Sequence, residues 1–260
     1  MRIRASVAVV TGTLALTALV VPAAQADDSY GNTTVSNVVI NDGKPLVFGP
    51  TGKKTFTLTF TASDSSGISA ADAYLWRGKN INAAADIMLA NEIKGAKCGT
   101  GAKPTCKLTF TINPAEDLFN DDAGAWKTWV WALAKDVNFV EKDNAKSLTI
   151  KRASALTADA TPEPVTAGKT ITVSGALTRA NWEHYGDGNT YTGYANQSVQ
   201  LQFRKAGATS YTTVKTVKSG SKGKLTTTVK ATTDGHYRYS FAGTTTTAPL
   251  NSTGDLVDVR

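Results

Sequence analysis

Lys54-Thr55-Phe56-Thr57-Leu58-Thr59-Phe60-Thr61 alternates polar and apolar side chains, and Thr105-Cys106-Lys107-Leu108-Thr109-Phe110-Thr111-Ile112 does so again. A strand sends successive side chains to opposite faces, so each stretch reads as a half-buried strand with threonine outside and phenylalanine or leucine inside. Trp126 to Leu133 and Ser147 to Ile150 extend the set, with Thr34 to Ile40 as an opening strand and Ala73 to Trp76 as a central one, about six strands before Arg152. Residues 80–93 lack alternation and contain good helix formers, which predicts a short helix or an irregular crossover. The second half repeats the plan: an opening strand at Leu156 to Thr161, then Lys169 to Leu177, Val199 to Arg204, Tyr211 to Val217, Leu225 to Lys230, His236 to Phe241 and Asp255 to Val259. Short strands separated by Gly, Ser and Asn turns, without a long helical pattern, predict an all-β chain of two tandem immunoglobulin-like antiparallel β-sandwich domains. The domains are expected at residues 27–152 and 153–260, with almost no chain left between them as a tether.

The composition agrees with a globular product. Of 260 residues, 41% are hydrophobic and 19% charged, too apolar for a disordered chain. Arg2 and Arg4, the apolar run Ala5 to Val21, and Pro22-Ala23-Ala24-Gln25-Ala26 form a signal peptide at residues 1–26, so the mature protein is expected to be secreted and extracellular. Nothing after Asp27 is apolar for long enough to span a bilayer, so no membrane association is expected after cleavage. Losing Arg2 and Arg4 leaves 26 basic against 21 acidic side chains, a net charge of +5. Residues 156–260 hold 11 basic and 7 acidic side chains and so carry most of that excess. Lys215, Lys218, Lys222, Lys224 and Lys230 are dispersed among threonines, which reads as solvated strand edges rather than a nucleic-acid footprint. Such a surface suits only weak attraction to anionic wall polymers; cell-wall or other extracellular polysaccharide enters as a partner class through the aromatic 181–194 loop.

Cys98 and Cys106 flank Gly99-Thr100-Gly101-Ala102-Lys103-Pro104-Thr105, a turn-forming stretch. In an exported chain this pair predicts a disulfide that pins a local hairpin, and two thiols without nearby histidines are too few for a metal site. Asp234-Gly235-His236-Tyr237 resembles the tyrosine corner of immunoglobulin-like sandwiches, in which a phenol bonds back to upstream backbone. Trp126 occupies the corresponding place in the first domain, where an indole would replace the phenol.

Three constellations carry potential chemistry. Loops after the second and sixth strands of such a sandwich share a pole, which would bring Asp64 and Asp136 together. Asn138, Glu141 and Asp143, assigned to the later loop, complete a candidate set of hard oxygen ligands for Ca²⁺, the one cofactor entertained; the alternative is that Asp64-Ser65-Ser66-Gly67 is a turn whose aspartate bonds local backbone. The stretch Asn181 to Tyr194 is irregular and aromatic. Trp182, Tyr185, Tyr191 and Tyr194 suit either sugar stacking or burial at the junction between domains, because this loop should point toward the first domain. Glu183 with His184, Asp234 with His236, and Asp121 with Asp122 are adjacent pairs that do not specify a reaction, so no catalytic residue is assigned. On Trp126, Trp129 and Trp131, strand alternation puts Trp129 and Trp131 on one face and Trp126 on the other.

The segment QLQFRKAGATSYTTVKTVKSGSKGKLTTTVKATTDGHYRYSFAG, residues 200–243, resembles the immunoglobulin-like repeat of secreted actinobacterial proteins, and Thr170 to Gly175 and Asp255 to Val259 fit the same pattern. The first domain is similar to its usual companion at Val35 to Asn41, Thr61 to Ile68 and Ala132 to Asp136. This resemblance implies a two-domain exported protein of uncharacterised activity, in a family sometimes labelled calcium-binding. It implies no catalytic residue.

Overall fold

The computed structural model describes residues 27–79, 81, 86–88, 95–184 and 188–260. The expected signal peptide and Tyr185 lie outside the described residues, as does most of the 80–93 segment. Among the described residues ten strands precede Ser154: β1 (Asp28–Tyr30), β2 (Thr34–Ile40), β3 (Leu46–Phe48), β4 (Lys54–Ser63), β5 (Ile68–Arg77), β6 (Asp86–Met88), β7 (Lys97–Cys98), β8 (Thr105–Ile112), β9 (Gly124–Ala134) and β10 (Phe139–Arg152). One sheet has the order β2-β4-β8-β7; the other runs β1-β10-β9-β5-β6, with β3 joining β10 in parallel. An opening strand that starts on one sheet and finishes on the other, facing a sheet built from late and middle strands, is the arrangement of an immunoglobulin-like sandwich. β5 is longer than expected, since alternation continues on both sides of Ala73–Trp76. At residues 86–88 the chain is a strand against β5, where the sequence suggests helix or irregular crossover.

Threonine explains why these strands are one-sided. Phe56, Leu58 and Phe60 of β4 and Leu108 and Phe110 of β8 are buried, and the paired Phe56 and Phe110 rings stack at 5.1 Å. Their outward neighbours Thr55 and Thr111 hydrogen-bond each other at 3.0 Å. Each fully buried phenylalanine or leucine contributes about 1.5–3 kcal/mol, so a register slip of one residue would expose this row and bury threonine instead.

The second sandwich begins at β11 (Ser154–Leu156) and β12 (Asp159–Thr161), which the sequence suggests as one strand. Both pair with β13 (Thr170–Ala180), whose other edge takes β14 (Tyr191–Gly193) and β17 (Lys224–Lys230). The facing sheet has the order β16 (Thr212–Lys218), β15 (Ser198–Lys205), β18 (Gly235–Phe241), with β19 (Leu250–Asn251) and β20 (Asp255–Val257) sharing the far edge of β18. The protein is thus all-β, two sandwiches in tandem.

Two hydrophobic cores result. Val35 through Ile150 build the first and Leu156 through Val257 the second, but Ala180 and Trp182 belong to the first although they follow β11. In the second core the hydroxyl of Tyr239, not that of Tyr237, donates to the Val173 carbonyl at 2.8 Å and ties the two sheets together. Both side chains point inward on β18, and the one opposite β13 makes the bond. In the first sandwich the Trp126 indole donates to the Asp122 carbonyl at 2.7 Å, four residues upstream, as a corner tyrosine would.

Candidate functional site

Asp64 and Asp136 lie at one pole, each hydrogen-bonded to Ser66. Asp64 closes a turn: its Oδ1 accepts from the backbone N–H and the hydroxyl of Ser66, both at 2.8 Å, and its Oδ2 accepts from the Thr33 hydroxyl at 2.8 Å. The side chain is 3% exposed, and these donors, led by the Ser66 backbone N–H, hold its carboxyl below the usual value despite burial. The Ser66 hydroxyl lies 3.3 Å from the Asp136 N–H, and Asn138 donates through Nδ2 to Asp136 Oδ2 and to Asn32 Oδ1, both at 3.0 Å. Gly31 makes room for this: at φ +80°, a Cβ there would lie 2.1 Å from Asn138 Cγ. The oxygens therefore meet N–H and O–H groups, and an ion would have to displace those donors. Among the described residues no group of three or more His, Cys, Asp or Glu could hold a metal ion.

Glu141 and Asp143 are not in the loop where the sequence suggests them. β10 already begins at Phe139, so both carboxylates lie on the outer face of the sheet. There Glu141 Oε1 accepts from the Trp129 indole at 2.7 Å, and the Asp143 carbonyl accepts from the Trp76 indole at 2.6 Å. Trp129 stacks on Tyr74 at 4.5 Å, and Lys127 lies 4.1 Å over Trp76. Burial, followed by the charges of Glu141, Asp143 and Asp72, pushes the Tyr74 phenol up, a sign of how closely the three carboxylates surround that ring. Trp126 occupies the opposite, core-facing side.

Of the 181–194 aromatics, Trp182 is 1% exposed and plugs the first core. Its indole donates to the Gly49 carbonyl at 2.9 Å, its edge meets Phe48 at 6.3 Å between centroids, and its backbone N–H donates to Asn120 Oδ1 at 3.0 Å. Asn120 in turn donates through Nδ2 to Asn181 Oδ1 at 2.7 Å. Beside this plug, Arg152 at the end of β10 is buried and donates from Nε to the Ala180 carbonyl. Burial, then the neighbouring Arg179, pulls its pKa down to about 10. The chain around it is stitched both ways: Ala153 N–H to Phe48 O at 2.8 Å, Arg152 N–H to Thr246 O at 2.9 Å, and Ala180 N–H to Ala153 O at 2.8 Å. Tyr194 packs edge-on against Phe241 in the second sandwich, with Arg179 4.2 Å above its ring. Tyr191 alone of the described loop tyrosines is exposed, at 37%.

Of the adjacent acid–base pairs, Glu183, His184 and Asp234 contact backbone and Asp122 pairs with an arginine. Glu183 Oε2 accepts from Asn120 N–H at 3.2 Å, and His184 Nε2 contacts the Pro50 carbonyl at 3.2 Å. Asp234 accepts from the Val259 N–H at 2.8 Å, and Asp122 pairs with Arg77 at 2.7 Å. The outer face of β5, β9 and β10 went unrecognised as a unit in the sequence, although Asp72-Ala73-Tyr74 alternates there as plainly as the threonine strands do.

No protein-family model matches the chain, and no curated protein matches it. Among solved structures it is similar to the D00-D0 domain of intimin, at 14% identity over 86% of this chain and 99% of that one, with a TM-score of 0.28. It is also similar to the three N-terminal domains of the bacteriophage RB49 highly immunogenic outer capsid protein, at 11% identity over 88% and 70%, with a TM-score of 0.35. A chimeric titin Z1Z2 gives 11% identity over 90% and 98%, with a TM-score of 0.25.

Proposed function

We propose that this chain is an exported, non-catalytic binding or spacing protein in which two β-sandwiches, 27–152 and 153–260, act as one stiff unit. The observation that carries the reading is Trp182: a side chain from the second half completes the first half's core. A hinge would have to pull that indole into water and uncover the Arg152 guanidinium's bond to Ala180. Such a joint holds the outer sheet faces of the two sandwiches in a fixed relation, which suits a spacer or a two-faced binder. The contacts of His184, Glu183, Asp234 and Asp122 with backbone or with Arg77 support the non-catalytic part. A leader at 1–26 and a disulfide support export, and no helix among the described residues is long and apolar enough to cross a membrane.

The carbohydrate reading of the 181–194 loop loses its largest ring to the junction, which favours interdomain contact for Trp182 and leaves Tyr191 as the exposed ring among the described residues. Pulsed dipolar spectroscopy tests the stiffness directly, with spin labels on Lys103→Cys and Lys169→Cys, two exposed positions on opposite sandwiches. The expected distance distribution is narrow in the parent and broad after Trp182→Ala. A broad distribution in the parent contradicts the reading.

A further inference from the structure

The strand register maps a grid onto the outer face of the first sandwich. In one row Asp72 of β5 stands opposite Trp131 of β9, which stands opposite Glu141 of β10, which stands opposite Asp28 of β1. The next row holds the Tyr74–Trp129 stack, with Asp143 beyond the Glu141 position. On the other side lies an apolar row, Ala70, Leu133, Phe139 and Tyr30, the last 63% exposed. Burial first, then Glu141 and Asp27, push the Asp143 carboxyl up, so negative charge crowds here.

The equivalent face of the second sandwich gathers two arginines at its centre. Arg204 of β15 stands opposite His236 of β18, and His236 opposite Leu256 of β20; Gln202 stands opposite Arg238. Both guanidiniums gather over Tyr211, at 3.8 Å for Arg238 and 5.2 Å for Arg204. Arg238 donates to Gln202 Oε1 at 2.9 Å and Arg204 to the Ala208 carbonyl at 2.7 Å; among the described residues neither forms an ion pair with a carboxylate. Exposed Leu256 lies at the far edge of this face, where Glu163, Asp255 and Asp258 border it on the side away from the arginines.

We propose that the acidic aromatic face of the first sandwich docks the arginine–tyrosine face of the second sandwich of another copy of this chain. The occupant is argued from charge complementarity. One molecule carries both halves of the match, and indoles and phenols present π-systems to guanidiniums that have no carboxylate partner among the described residues. Because the two faces differ, the contact is head-to-tail and propagates instead of closing on a two-fold axis. Strand and row spacings make each face roughly 14 Å by 20 Å, well under the ~800 Å² per partner of a standard stable interface. Association is therefore weak in free solution and accumulates where copies are crowded.

Sedimentation velocity of residues 27–260 at concentrations up to about 1 mM, in about 10 mM and about 1 M salt, is the test. The expected result is concentration-dependent growth at low salt that collapses at high salt. Asp28→Lys with Glu141→Lys, and separately Arg204→Glu with Arg238→Glu, should each weaken self-association about tenfold or more. An equimolar mixture of the two variants should associate again, because one reversed face now meets the other. A wild type that stays monomeric at low salt overturns the proposal, as does growth that both variants retain or a mixture that stays apart. A monomeric wild type that binds polyglutamate through Arg204 and Arg238 overturns it in favour of an anionic polymer. The salt series on the unmodified protein keeps the proposal falsifiable if either variant fails to fold. A narrow spin-label distance alongside monomeric behaviour would refute this contact while leaving the stiff-spacer reading intact.

Discussion

Asp64 reads in sequence as either a Ca²⁺ ligand or a turn residue, and the donors around it in the structure are those of a turn. Its oxygens are met by Ser66 and Thr33 donors, and the lowered pKa follows from those bonds. A carboxyl whose folded value lies below its unfolded 3.8 stabilises the fold above that value and loses the contribution as pH falls through the folded one. Urea midpoints measured from pH 6 downward should therefore drop in the acid limb of the wild type, and the drop should be shallower in Asp64→Ala, which should also be less stable near neutrality. Equal slopes would remove Asp64 from the acid response. Adding Ca²⁺ should leave both midpoints where they are; a rise confined to the wild type would make the pole an ion site.

The disulfide belongs to the scale of elements. Cys98 and Cys106 are directly opposed on β7 and β8, with Cα atoms 3.9 Å apart. Because β7 is two residues long and sits at the sheet edge, the bond holds an element that pairing alone would leave marginal. Replacing both cysteines by serine should cost about 2–3 kcal/mol on the loop-closure estimate, and hydrogen exchange should quicken at β7 and the turn after it before β4 is affected. Uniform loss of protection across the first sandwich would show instead that the bond supports the whole core. The same scale explains what was legible beforehand. Strands with threonine outside and phenylalanine inside, such as β4 and β8, announce themselves through period two, and the cysteine pair through its turn. β1, β3 and β7 do not, because two or three residues are too few to display a period. The ends of β10 were hidden for another reason. A bulge between Lys142 and Lys146 shifts its register against β9, so alternation breaks inside one fourteen-residue strand, and Glu141 and Asp143 pass for loop residues. Tyr237 and Tyr239 share a face, so alternation alone does not tell which phenol reaches Val173.

At the scale of the molecule, the junction is the feature that turns two sandwiches into one object. Strand direction alone indicates that the 181–194 loop points toward the first sandwich, but not that Trp182 would enter its core, since that depends on a gap lined by Phe48 and Gly49. Filling the gap couples the melting of the two halves: the first core cannot stay closed while the second half unfolds and withdraws its indole. Differential scanning calorimetry of residues 27–260, wild type against Trp182→Ala, measures that coupling. Removing a buried tryptophan costs about 3–5 kcal/mol, and the account predicts one cooperative transition in the wild type that separates into two in the variant. Two independent transitions in the wild type, unchanged by the substitution, would contradict it.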